Sequence, residues 1–174
     1  ATANRLLSEG AGRSVEPALK VQAANAATAY GRMQALWVLH NLSLLDSDLL
    51  VAGARDPDAV VRKNVMRIAA EQDNSGVEPP PALVRALLAD PDQRVRLAAL
   101  VAGTTVTPTS ELAAAIVAAW PTFKDPHLEA AALAVSVKDP LLFLNAAFAA
   151  QTPALVAGMV AQLARQVANQ NNPD

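Results

Sequence analysis

Apolar residues recur along most of this chain at helical spacing. In the stretch from Asp56 to Ala70, Val61, Val65, Ile68 and Ala69 fall at i, i+4, i+7 and i+8. From Asp90 to Gly103, Val95, Ala98, Ala99 and Ala102 fall at i, i+3, i+4 and i+7. Both patterns draw one apolar face on a helix, and neither shows the alternation of a half-buried strand. The same reading predicts helices over Asp46–Ala54, Pro80–Ala89, Thr109–Trp120, Asp139–Ala150 and Thr152–Asn169. Ser14–Ala27 reads as a helix before them, as does the segment 2–9, "TANRLLSE". The twelve prolines sit almost entirely at helix starts or between helices, where a missing N–H and a fixed φ are tolerated. No segment reads as a strand.

Two of these helices open on the same phrase. "DPDAVVR" begins at Asp56 and "DPDQRVR" at Asp90, 34 residues on; "KDPHLEAAALAVS" brings Asp125 a further 35 residues along. Upstream, "YGRMQALWVLHNL" places Arg32 before an apolar run, as Arg62 and Arg96 are placed. A fixed period of this size marks stacked supersecondary units. The Asp before each Pro is expected to cap the helix N-terminus, with Pro at the first helical position. Gly103 is placed to end its helix. The expected fold is all-α, a right-handed α-solenoid of roughly five helical hairpins, with residues 1–168 one domain and 169–174, "NQNNPD", a polar tail.

The spacing also suits tetratricopeptide and ankyrin repeats, but their signature residues are absent. The Asp-Pro-x-x-x-Val-Arg phrase resembles HEAT-like repeats, over Leu44 to about Val137 most closely. That resemblance implies a ladder between neighbouring repeats made by the Asp and the Arg six positions later, which here are Asp56/Arg62 and Asp90/Arg96. Ala131 stands where the Asp125 unit would carry its Arg, so the ladder is expected to stop there. More narrowly, Arg32, Ala35, Leu36 and Trp37, with Val61, Arg62 and Arg67, resemble the HEAT segment of large exported bacterial proteins of planctomycete type. Those join a β-propeller dehydrogenase-like domain to a c-type cytochrome domain, and the resemblance implies an exported or periplasmic setting. No Cys-x-x-Cys-His is present for covalent haem within this chain.

Composition narrows the field. Of 174 residues, 52% are hydrophobic but only 3% aromatic, so the apolar content is largely the Ala, Leu and Val of close-packed helices. A net charge of −2 with both signs dispersed is not the basic footprint of a nucleic-acid binder. No apolar run approaches the roughly 20 residues of a membrane span. With no cysteine, the redox compartment is open. The chain opens on Ala1 in helix-like text without a signal peptide, and is expected to be a processed or excised piece of a longer protein.

Candidate chemistry is sparse. His40 and His127 lack the short spacing of metal pairs, and neither is followed by the Glu that the iron-binding deoxyhypusine-hydroxylase branch of HEAT proteins uses. Trp37 reads as core; Trp120, beside Pro121 and Phe123, reads as packing at a helix end with some exposure. Asp46, Asp48, Asp56, Asp58, Asp90 and Asp92 sit at helix starts and read as caps. Arg62, Arg67, Arg94 and Arg96 read as partners of Asp or solvent, with an anion-binding groove as the alternative. "PPP" at Pro79–Pro81 reads as a rigid entry to a helix. No catalytic, cofactor-binding or metal-ligating set emerges. The expected function is a non-catalytic scaffold or protein-interaction module, partnered by another protein or by neighbouring domains, with no nucleic acid and no membrane insertion. The alternative is a HEAT-like enzyme of DNA-glycosylase or bilin-lyase type.

Overall fold

A computed structural model describes residues 12–71, 80–150 and 153–171. These form ten α-helices and two short 3-10 turns, with no strand among the described residues. The protein is all-α. The segment 2–9 and residues 172–174 of the expected tail lie outside the described residues, while residues 169–171 are not tail but the end of the last helix. The chain divides into two compact units, residues 1–77 and 78–174.

The first unit holds α1 (Gly12–Asn25), α2 (Ala29–Asn41), α3 (Ser47–Gly53) and α4 (Ala59–Ala70). Each start has a local cause. The Thr28 hydroxyl accepts the Gly31 N–H at 3.1 Å to open α2, and the Asp46 carboxylate accepts the Leu49 N–H at 2.9 Å to open α3. Helix α2 ends where Ser43 turns into the left-handed region at φ 55° and the Leu44 N–H reaches back to the Leu39 carbonyl at 2.9 Å. Helix α2 packs on α1 and on α4, while α3 packs on α1 and on α4. Leu36, Leu39, Leu50, Val61, Val65 and Met66 fill the space between them, each buried. Gly53 lets α3 approach α4: a Cβ there would stand 2.6 Å from Val65 Cγ2.

The second unit holds α5 (Pro81–Leu87), α6 (Gln93–Gly103), α7 (Ser110–Ala119), α8 (Pro126–Ser136), α9 (Pro140–Phe148) and α10 (Ala157–Asn171). Trp120–Thr122 and Pro153–Val156 are 3-10 turns. Helix α5 packs on α6 and α7, α6 on α8, α7 on α9, and α10 on α8 and α9. Alternate helices therefore lie against each other, so that α5, α7 and α9 follow one another, as do α6, α8 and α10. Val84, Leu100, Leu112, Ile116, Phe143 and Leu163 are among the fully enclosed side chains of this core. Lys138 fastens one loop to the end of α8: its Nζ donates to the carbonyls of Thr104 at 2.8 Å and Val106 at 2.7 Å, just past the C-terminus of α6. No single described helix is long and apolar enough to cross a membrane.

Three expectations are corrected. In both Asp-Pro-Asp phrases the cap is the second aspartate: Asp58 accepts the Val60 N–H and Asp92 the Arg94 N–H, each at 2.8 Å. The first aspartate instead closes a turn, Asp56 taking the Asp58 N–H at 2.8 Å and Asp90 the Asp92 N–H at 2.9 Å. Where no second aspartate follows, the first one caps and Pro takes the first helical position, as at Asp125–Pro126 and Asp139–Pro140. Gly103 is not a left-handed terminator but the last helical residue, buried where a Cβ would come 3.1 Å from Val135 Cγ2. The long helix expected from Thr152 is divided: Pro153–Val156 form a 3-10 turn and α10 starts at Ala157.

Candidate interaction surface

Several polar side chains of the first unit are held by one another. Asp56, released from capping by Asp58, receives the Arg32 guanidinium through two parallel bonds, Nε to Oδ2 at 2.6 Å and Nη2 to Oδ1 at 2.9 Å. Both side chains are largely enclosed, 14% and 8% exposed for Arg32 and Asp56, so this fork joins α2 to the loop before α4 in low dielectric. Burial works against the Asp56 charge. The Arg32 hydrogen bond, the Asp58 N–H and the positive charges of Arg32 and Arg62 outweigh it and hold its carboxyl below the ordinary value. Arg62 Nη1 donates to the backbone carbonyls of Asp56 at 2.8 Å and Pro57 at 3.0 Å.

A second cluster sits between α2 and α4. Trp37, expected in the core, is half-buried. Its indole N–H donates to Asn64 Oδ1 at 3.1 Å, while the Asn64 amide donates to the Val60 carbonyl at 2.8 Å. Asn64 is 5% exposed, so the indole supplies the partner its buried oxygen requires. Arg67 stands over the Trp37 ring at 5.8 Å and His40 meets the ring edge-on at 5.8 Å. His40 Nε2 lies 3.2 Å from Glu71 Oε2.

In the second unit two charged residues of the repeated phrase, Asp92 and Arg94, serve a helix start. Arg94 folds back on Asp92 through bonds of 3.1 and 2.6 Å. Those bonds, with the Arg94 N–H, lower the Asp92 carboxyl to about 2. Asp90 is buried, and Arg96 is half-buried with its Nε enclosed and without a hydrogen-bond partner among the described residues. His127 donates its backbone N–H to Asp125 at 2.8 Å. Trp120 is buried, 7% exposed, and meets Phe123 edge-on at 6.3 Å. Pro80 is the N-cap residue of α5 and Pro81 its first helical residue. No group of three or more His, Cys, Asp or Glu is placed to hold a metal ion among the described residues.

One feature is not absorbed by the internal packing. Between α7 and α9, closed at one end by the Pro153–Val156 turn, lies a groove of about 530 Å³. Its walls are mostly small and apolar: Ala114, Val117 and Ala118 on α7, Leu142, Ala146 and Ala149 on α9. Ser110 and Asn145 are its polar side chains. Helix α9 presents Leu141, Asn145 and Phe148 at i, i+4 and i+7, opposite its buried Phe143 and Ala147. Leu141 is 62% exposed and Phe148 70%, and Leu155, beside the groove-lining Val156, is 57% exposed. The sequence held a sign of this. Apart from Asn145, "PLLFLNAAF" is apolar around its whole circumference, more than one core face can use.

No family model, no curated protein and no solved structure matches this chain.

Proposed function

We propose that this chain is a non-catalytic protein-interaction module. In this reading it is an α-solenoid of HEAT-like hairpins serving as a scaffold domain within a larger protein. The observation that carries it is the apolar α7–α9 groove, with Leu141 and Phe148 exposed on the α9 face that shares Asn145 with its wall and Leu155 exposed next in sequence to the lining Val156. Exposed apolar side chains clustered beside an apolar hollow are a feature of binding surfaces rather than of ordinary solvated ones. The packing of alternate helices on each other within each unit supports the solenoid, since each hairpin of such a stack buries its apolar face on the next. The Arg32–Asp56 fork supports the HEAT-like ladder by fastening one hairpin to the next through the Asp of one repeated phrase and an Arg placed before an apolar run as Arg62 and Arg96 are. The narrower likeness to exported dehydrogenase–cytochrome proteins supports placing the module between other domains.

The test is photo-crosslinking in the source cell, with a benzophenone amino acid at position 148 and, as control, at Val21, which is also exposed. A discrete adduct at 148 and none at 21 is the expected result. Equal labelling at both positions, or none at either, overturns the reading.

A further inference from the structure

The groove and its rim together form a face that carries both a hollow and the projections to fill one. Resting on the interaction reading above, we infer that the occupant of the α7–α9 groove is a second copy of this chain, docked about a two-fold axis with Phe148 of each copy seated in the groove of the other. A two-fold interface requires a patch that is complementary to itself. Phe148 stands 70% exposed on the same helix that supplies one wall of the groove, so rotation by half a turn brings knob to hole twice.

Charge agrees with this occupant. None of the groove-lining residues is ionisable, nor are Leu141, Phe148 and Leu155, so two identical patches meet without like-charge repulsion. Asn145 is exposed on the face between Leu141 and Phe148 and lines the groove. An amide is both donor and acceptor, so it can pair with its own copy across an axis, which neither a carboxylate nor an ammonium can do.

Area sets the scale of the interface. An aromatic residue contributes roughly 150–250 Å² when buried, so Phe148 and the two leucines offer on the order of 350 Å² per copy. With the groove walls, the pair buries on the order of 1,000 Å² in total, the size of a weak, reversible interface.

Sedimentation equilibrium of the full chain from about 5 to about 500 μM reads this directly. The expected result is a reversible monomer–dimer equilibrium that Phe148→Ser and Ala118→Glu each weaken by more than about tenfold, with helical circular dichroism unchanged because both residues are exposed. Mixing the two variants restores part of the association, since the knob of one still fits the intact hole of the other. A monomer throughout, or a dimer indifferent to both substitutions, overturns the second-copy inference. The crosslink at position 148 separates the two proposals. An adduct of other mass on a monomeric protein leaves the interaction module standing, and no adduct removes both.

Discussion

Gly53 is the position where the packing can be read most directly as an energy. Replacement by Ala adds one methyl group whose carbon would lie 2.6 Å from Val65 Cγ2 and 3.3 Å from Leu36 Cδ1. Carbon atoms pack best at about 3.5–4.0 Å, so the first contact is roughly 1 Å too short. Val65 cannot turn aside. It is fully buried in the middle of α4, and a β-branched side chain in a helix is held to one χ1 rotamer. The helices must part, and overpacking of this kind costs about 1–3 kcal/mol. Against it stands the ordinary gain of Ala over Gly in a helix, about 0.4–1 kcal/mol. The net runs from near zero to a loss of about 2.6 kcal/mol, centred on roughly 1.3, which lowers Tm by roughly 3–5 °C for a chain of this length. Gly158, on α10 with nothing within 4 Å of where a Cβ would be, supplies the contrast: Gly158→Ala shows the gain alone. Thermal and urea melts of both variants decide the matter, with Val65→Ala as the relieving partner in a double-mutant cycle. If Gly53→Ala proves as stabilising as Gly158→Ala, the close approach of α3 to α4 is not real.

Other outcomes follow from single contacts. Ser43→Gly stabilises by up to about 1 kcal/mol, because Ser43 holds φ 55° at the end of α2 and glycine adopts that region without a steric cost; an unchanged urea midpoint refutes it. Trp37→Phe keeps the ring but strips the N–H from the buried Asn64 oxygen, costing about 1–3 kcal/mol. Simultaneous Asn64→Leu is expected to recover part of that loss, and a purely additive pair of melts contradicts the hydrogen bond's role. Acid weakens the fold in a defined window. The carboxyls of Asp46, held down by Lys20 and the Leu49 N–H, of Asp56 and of Asp92 all titrate below their ordinary value, with Asp92 at about 2. The unfolded chain takes up these protons near pH 3.9 while the folded chain resists, so the stabilisation is complete above about pH 4–5 and is lost as the pH falls toward 2. Urea midpoints measured across that range should fall together, and a flat profile counts against the paired carboxylates.

The helices themselves were legible in the sequence because their signals are local. Asp46, Thr109, Asp125 and Asp139 were marked as helix starts by residue type alone, and each caps its helix. Choices between equivalent residues were not legible. Asp-Pro-Asp offers two aspartates for one cap, and nothing in the order of residues says that the second takes it and the first closes a turn. Gly103 carries a terminator's residue type, yet its use is set by Val135, a neighbour in space 32 positions away. Trp37 reads as core in "ALWVLHNL", but its polar edge needs Asn64, which only the pairing of α2 with α4 supplies. The groove escaped for a related reason: apolar residues announce burial, and only the packing of α7 on α9 reveals which of them remain uncovered.

The doubled aspartate has a mechanical consequence. Where two aspartates flank the proline, one starts the helix and the other's carboxylate is left to grip a neighbour, as Asp56 grips Arg32. At Asp125 and Asp139 a single carboxylate is taken up by the cap, accepting from His127 and Leu142. Among the described residues around α8 and α9 the helices are therefore held by apolar contact and the Lys138 clamp, with no forked ion pair. Apolar contact is non-directional and yields to sliding where a fork does not. Shear under load should accordingly appear first around α8 and α9, beside the groove, while the Arg32–Asp56 joint stays rigid.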